Sequence, residues 1–274
     1  MLIEFSVLIP VYVKEDPANL KTAVESILDN QTVLPQEVVI VEDGPITNEL
    51  EQVLSEISST HPKVIRRTKM PINQGMGAAM NLGLNHLSYK WVARMDSDDI
   101  AVANRFETQL EFLKAHPEID VLGSAIEEFD RSPGDLKHFR TLPEKHDEII
   151  RLMKYRNPVN HMTVFFRKDI AVQAGGYWSN RYFEDYNLWY EMKKVGARFH
   201  NMSRNLVHVR VGNDMVGRRS GYAYFTFERI LLKKFLADRF ISPLEYAWLA
   251  GVKLTLRVMP TNFLRIVYKF FLRD

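Results

Sequence analysis

Four short stretches hold residue types able to do chemistry. Asp96-Ser97-Asp98 sets two carboxylates one residue apart, with Asp99 next. Directly after a strand, such a turn lets acids reach one divalent ion, and hard oxygen ligands suit Mg²⁺ or Mn²⁺ sharing a diphosphate. The same residues also read as an Asx-rich turn in which Asp99 caps the next helix. Asp43, in Val41-Glu42-Asp43-Gly44-Pro45, reads either as plain turn chemistry or as an acceptor for a base N–H such as that of uracil. Asn73-Gln74-Gly75-Met76-Gly77 opens a helical stretch. Its glycines allow close backbone approach, and a helix start attracts phosphate; the other reading is small residues kept for packing. Glu184-Asp185 stands among Tyr177, Trp178, Tyr182, Phe183, Tyr186, Trp189 and Tyr190. Aromatic walls suit sugar rings and raise a carboxylate pKa, which would fit a general base, while acids at a helix start also simply favour the helix dipole.

These stretches fall where strands stop. Phe5 to Ile9 is a nearly all-apolar run ending at Pro10, as expected of a strand covered on both faces. Glu37–Val41 and Lys90–Met95 read as further strands and Val64-Ile65 as a weak one. Asn19–Asn30, Ile46–Ile57 and Gly75–Leu87 read as the intervening helices. This alternation predicts βαβ units in an open α/β sheet, where ligands bind outside the carboxyl ends of the strands. That edge would carry Pro10 to Asp16, Glu42 to Pro45 and Asp96 to Asp99. Beyond it, Val102–His116, Glu144–Lys154 and Tyr186–Val195 read as helices, and Ile119–Phe129 and Met162–Phe166 as strands. One unit over residues 1–215 is expected, followed by a helical extension over 216–274. In the extension, Ser242-Pro243-Leu244-Glu245 has the form of a capping box. A last helix after Pro260 would set Phe263, Ile266, Val267, Phe270 and Phe271 against Arg265, Lys269 and Arg273.

Composition narrows the chemistry. The 274 residues contain no cysteine, so disulfides, thiolate metal sites and cysteine nucleophiles are excluded. There is no G-x-S-x-G elbow, no Walker loop and no H-x-x-x-H pair; His161 and His208 stand alone. No apolar run approaches the roughly 18 residues of a spanning helix. The opening Met1-Leu2-Ile3-Glu4-Phe5 has no basic segment, so no secretory leader is expected. Charge is unevenly spread: residues 218–274 hold 11 Lys and Arg against 4 acids, and the first 217 residues hold 25 against 30. A basic, aromatic tail on a mildly acidic body suggests an anionic partner. Nothing resembles a base-reading module, so nucleic acid is not the expected partner.

Taken in order, Ser6-Val7-Leu8-Ile9-Pro10-Val11-Tyr12, Glu42-Asp43-Gly44, Asn73-Gln74-Gly75, Asp96-Ser97-Asp98-Asp99 and Phe183-Glu184-Asp185-Tyr186 resemble the family 2 glycosyltransferases, most closely those of bacterial exopolysaccharide and O-antigen assembly. The resemblance spans about residues 4 to 215. It implies a GT-A fold (a Rossmann-like open mixed sheet flanked by helices), a nucleotide-sugar donor, most simply a UDP-sugar, and inversion at the anomeric carbon. By that likeness Pro10, Tyr12 and Asp43 line the nucleoside pocket with Glu15 nearby. Asn73, Gly75 and Arg94 lie by the nucleotide, Asp96 touches ribose or sugar, and Asp98 holds Mn²⁺ or Mg²⁺. Asp185 is the base, with Glu184 as second choice. Two departures stand out. Glu42 replaces the first acid of the usual Asp-Asp-Gly, and Val209-Arg210-Val211-Gly212 lacks the late metal-assisting histidine of many relatives, leaving Arg218-Arg219 as a substitute grip on the diphosphate.

The tail then has two readings: a cap or dimer interface, or an interfacial helix on anionic lipid. The second suits a lipid-linked glycan acceptor and peripheral attachment to the cytoplasmic face of the cell membrane. Two rival functions remain, a nucleotidyltransferase that makes nucleotide sugars and a non-catalytic scaffold on the same fold. The first would want a glycine-rich loop after the first strand, and Pro10 to Asp16 has no glycine.

Overall fold

The computed structural model describes residues 3–212 and 220–259. Four strands build a parallel half-sheet: β1 (Phe5–Val11), β2 (Glu37–Glu42), β3 (Ile65–Lys69) and β4 (Trp91–Arg94). Helices α1 (Pro17–Ile27), α2 (Asn48–Thr60) and α3 (Met76–His86) connect them. Five further strands complete the sheet: β5 (Ile100–Ala101), β6 (Val121–Phe129), β7 (His138–Arg140), β8 (Phe165–Arg167) and β9 (Phe199–Arg210). The order is β3-β2-β1-β4-β8-β6-β9-β5, with β7 paired to β6. β8 runs antiparallel to both β4 and β6, so the sheet is mixed.

Both faces of the parallel half are covered, which is why its strands read as continuous apolar runs. Along β1, Phe5, Val7 and Ile9 enter one core with Val38, Ile40 and Leu50. Leu8 enters the other with Val39, Val41 and Met80. Pro10 lies inside β1, paired with Val41, rather than ending it. Pairing of β1 with β4 stops at Leu8 and Arg94, so the missing N–H of Pro10 forfeits no ladder bond.

The remaining helices are α4 (Arg105–Ala115), α5 (His146–Met153), α6 (Lys168–Gln173), α7 (Glu184–Lys194), α8 (Tyr222–Ala237) and α9 (Pro243–Val258). α8 lies on α7: Phe235 packs on Tyr186 and Tyr190, and Lys234 reaches Asn187 Oδ1 at 2.8 Å and Glu191 at 2.6 Å. The expected capping box of α9 is present, Ser242 accepting from the Glu245 N–H and Glu245 from the Ser242 N–H. The helix expected after Pro260 and the pair Arg218-Arg219 lie outside the described residues.

Several expectations need correction. Met162–Phe166 is not one strand; a 3₁₀ turn at His161–Thr163 precedes β8. The Thr163 hydroxyl donates to the Asn160 carbonyl at 2.8 Å and accepts from Ser124 N at 2.9 Å, which favours the tight turn. The long β9 escaped notice because its first half, His200-Asn201-Met202-Ser203-Arg204-Asn205, is polar and its register against β6 shifts near Ser124 and Ala125. Asp99 caps no helix: α4 starts at Arg105 behind Asn104.

Candidate active site

β4 stops sharply because its last carbonyl is occupied: Arg105, fully buried, donates from Nη2 to Arg94 O at 2.7 Å. The chain then turns through Asp96-Ser97-Asp98-Asp99 and is tied on both sides. Ser97 Oγ donates to Glu15 Oε2, bringing in the loop after β1. Arg210 N, at the end of β9, donates to Asp99 Oδ1 at 2.9 Å, and Arg210 Nε to Asp98 O at 3.2 Å. The outcome is a cluster in which Asp96, Asp98 and Asp99 each offer an oxygen within 4.8 Å of the others.

Among the described residues the cluster is short of positive charge. Arg94 makes an ion pair with Asp96 from the buried side. Burial first, then Asp96 and Glu15, pushes Asp98 up to about 7. Burial first, then Asp96 and Asp98, push Asp99 well above the usual carboxylate range, and its buried Oδ2 has no hydrogen-bond partner. Converging, half-neutralised carboxylates with an orphaned oxygen fit a hard divalent cation, whose arrival would reverse this pKa logic.

Asp43 closes the neighbouring loop. Its carboxylate accepts from Gln74 N at 2.8 Å, Gly75 N at 2.9 Å and Asn73 Nδ2 at 3.0 Å. Gly75 takes φ +92°, a conformation cheap only for glycine, and from it α3 begins. Tyr12, 39% exposed, leaves β1 beside Asp43, whose N–H donates to Val11 O at 2.8 Å. Glu42 turns away to Arg67 and Lys69.

Glu184 and Asp185 open α7 behind an unusual corner. Tyr182 and Phe183 have φ of 67° and 60°, left-handed values that cost bulky residues about 1–3 kcal/mol each. Asp185 accepts from Asn157 Nδ2 at 2.6 Å and from Tyr186 N at 2.7 Å. Burial, Asp185 and Asp96 raise Glu184 to about 7. Arg94, paired with Asp96, also reaches Met76 Sδ at 3.8 Å, and the adjoining Gly77 stands against Glu184, so the acidic pair lies near the acidic cluster. On the α3 side, a Cβ at Gly77 would stand 2.0 Å from Trp178 O and 3.3 Å from Glu184 Cβ, so only glycine admits this approach.

The structure thus gathers Tyr12, Glu15, Asp43, Asn73, Gly75, Asp96, Asp98, Glu184 and Asp185 along one edge. Pro10 is buried within β1, and Arg94 lies beneath Asp96 rather than in the open cleft. His161 is a core histidine, bonded to Tyr177 Oη at 3.0 Å, with burial lowering its pKa. His208 pairs with Glu127 at 2.7 Å. Sequence reasoning missed Asp99 as a third carboxylate, although it stood in the motif. It also missed Arg210, whose signal was a basic residue where a histidine was sought, and Asn157, marked only by an Asn-Pro turn.

The family model "Glycosyl transferase family 2" matches residues 6–172, more than half of the chain. The amylovoran biosynthesis glycosyltransferase AmsE of Erwinia amylovora is 37% identical, covering 97% of this chain and 98% of its own. An Escherichia coli protein named UDP-Gal:alpha-D-GlcNAc-diphosphoundecaprenol beta-1,3-galactosyltransferase is 35% identical over 98% and 97%. Among solved structures, S. aureus TarS residues 1–349 with UDP-GlcNAc superposes with TM-score 0.66 at 18% identity, over 98% of this chain and 73% of that one. These matches leave the nucleotidyltransferase reading without support. The chain belongs to glycosyl transferase family 2 and is a GT-A glycosyltransferase of polysaccharide synthesis.

Proposed function

We propose that the protein is an inverting, divalent-cation-dependent transferase that moves a hexose from a UDP-sugar to a lipid-linked glycan. The observation that carries this reading is the nearness of two acidic groups, Asp96, Asp98 and Asp99 in one cluster and Glu184 and Asp185 beside Gly77, linked through Arg94 and Met76. Asp98, with Asp96 and Asp99, would hold Mn²⁺ or Mg²⁺, which offsets charge on the departing nucleoside diphosphate. Tyr12 gives the base a ring to stack on. Asn73 and Gly75, fixed by Asp43, set the loop beside the nucleotide, and Glu15 steadies the metal turn through Ser97. Asp185, oriented by Asn157, takes the proton from the acceptor hydroxyl as that oxygen attacks the anomeric carbon. Glu184 is the second choice. A single displacement inverts the configuration, and no protein nucleophile is required.

The test is calorimetric titration of UDP with and without Mn²⁺. Binding should need the metal and should vanish in Asp98→Ala. Asp185→Asn should keep UDP affinity and lose about 10²–10⁴-fold in turnover. Full turnover in Asp185→Asn would move the base to Glu184, and absence of turnover in the parent protein would support the scaffold reading.

The relative named for a diphosphoundecaprenol-linked acceptor supports a lipid-linked glycan here as well. Among the described residues no helix is long and apolar enough to cross a membrane. Instead α9 exposes Leu244, Trp248, Val252 and Val258 along one side. This stripe is the proposed contact with the cytoplasmic face of an anionic membrane. It is more apolar than the sequence suggested, because Lys253 and Arg257 turn inward to Glu228. Trp248→Ser should release the protein from vesicles of anionic phospholipid in a sedimentation assay; unchanged pelleting rules the stripe out.

A further inference from the structure

The corner before Glu184 does not hold itself. Phe183, the residue preceding α7, makes no side-chain cap, yet it and Tyr182 both keep left-handed backbone angles. Such conformations persist only where surroundings over-determine them. The surroundings here come from the C-terminal hairpin. The Tyr224 ring of α8 lies 4.8 Å from the Tyr182 ring and 4.8 Å from the Phe183 ring, and Phe227 adds a contact to Tyr182 at 5.8 Å.

Tyr224 is itself backed. The Arg257 guanidinium lies over its ring at 4.6 Å. Arg257 and Lys253 of α9 close on the buried Glu228, one turn beyond Tyr224, at 2.9 and 2.6 Å. Gly221 N donates to Arg257 O at 2.8 Å, fixing the start of α8 against the end of α9. From the opposite side the Gly77 approach to Trp178 closes the corner against α3. The loop bearing the acidic pair is therefore held between a glycine of the nucleotide half and an aromatic ring of the tail.

We propose that Tyr224 is a positioning residue for sugar transfer: its ring, backed by the Glu228–Lys253–Arg257 cluster, holds the Tyr182–Phe183 corner and so aims Glu184 and Asp185 at the acceptor. The hairpin is then part of the catalytic apparatus as well as an attachment device. This inference rests on reading the acidic pair as the acceptor base.

Three variants of the full chain test it: Tyr224→Ala, Tyr224→Phe and, should the alanine variant fail to fold, Tyr224→Leu. Turnover is read as UDP released from a mixture of UDP-galactose, UDP-glucose and UDP-N-acetylglucosamine, with a synthetic GlcNAc-diphospholipid as acceptor. Donor-site integrity is read as the Mn²⁺-dependent Kd for UDP, and the corner as the rate of trypsin cleavage after Arg181. Tyr224→Ala should lose about 10–100-fold in turnover, since small misplacements of reacting groups cost that much, while Kd changes less than about twofold. Cleavage after Arg181 should quicken, and Tyr224→Phe should restore all three readings. Parental turnover in Tyr224→Ala or Tyr224→Leu, an equal loss of UDP affinity, or failure of Tyr224→Phe to rescue would overturn the proposal. Asp185→Asn and Glu184→Gln run alongside: if both turn over normally, the base reading fails, whatever Tyr224 does.

Discussion

Two clusters of buried charge in this molecule have opposite character. At the sheet edge, among the described residues, the Asp96, Asp98 and Asp99 cluster has one ion pair, from Arg94 to Asp96, and burial leaves Asp98 and Asp99 with raised pKa values. Between α8 and α9, Glu228 is as deeply buried, yet its pKa is lowered: burial pushes it up, but Lys253 and Arg257 more than offset that. The hairpin cluster is electrostatically complete and serves cohesion. Among the described residues nothing balances the edge cluster in the same way, which fits the proposed binding of a cation there.

The comparison breaks first at Glu228. Glu228→Ala leaves two cations facing each other in the hairpin and should cost about 3–5 kcal/mol in urea unfolding. A loss below 1 kcal/mol would mean that Lys253 and Arg257 escape to solvent. The edge should answer with the opposite sign. Asp99→Asn keeps an acceptor for Arg210 N and removes a charge without a counterion, so the metal-free protein should gain about 1 kcal/mol at pH 8. Destabilisation there would show that the Asp99 charge is satisfied. The edge should also show a pH slope. Asp98 titrates near 7 in the fold and near 3.8 when unfolded, so between those values the folded state holds the extra proton. Stability of the metal-free protein should therefore fall as pH rises through this window. Mn²⁺ should raise the melting temperature more at pH 8 than at pH 5.5, because the ligands must be deprotonated to bind. A metal effect equal at both pH values would place the ion elsewhere.

The same two regions show what can be read from sequence alone. The parallel half was legible because its strands are buried on both faces and its helices keep an apolar stripe, so β1, β2, β4 and the acidic stops after them stand out. The motifs named most of the edge residues for the same reason, each lying directly after a strand. What stayed hidden depends on long-range partners. Asp99 reads as a cap until Arg210, 111 residues on, takes its oxygen. Nothing local in Phe183 announces a left-handed angle, since its cause is a ring on α8. Strands β5 and β7 are two and three residues long, too short to show any period, and their pairing is set by β9 and β6. The inward turn of Lys253 and Arg257 was equally invisible, because a basic helix in a basic tail reads as a solvated or membrane-facing one.

The Arg210–Asp99 bond also bears on synthesis of the chain. A ribosome delivers the parallel half first, and domains fold from the N-terminus as they emerge. The nascent enzyme would have its Asp43 loop and its Asp96–Asp99 turn long before β9 arrives to pin the turn. Until then the acidic turn lacks its anchor, and the corner before Glu184 lacks α8. On the proposed function, donor capture would therefore wait for β9, and transfer would wait for α8 as well.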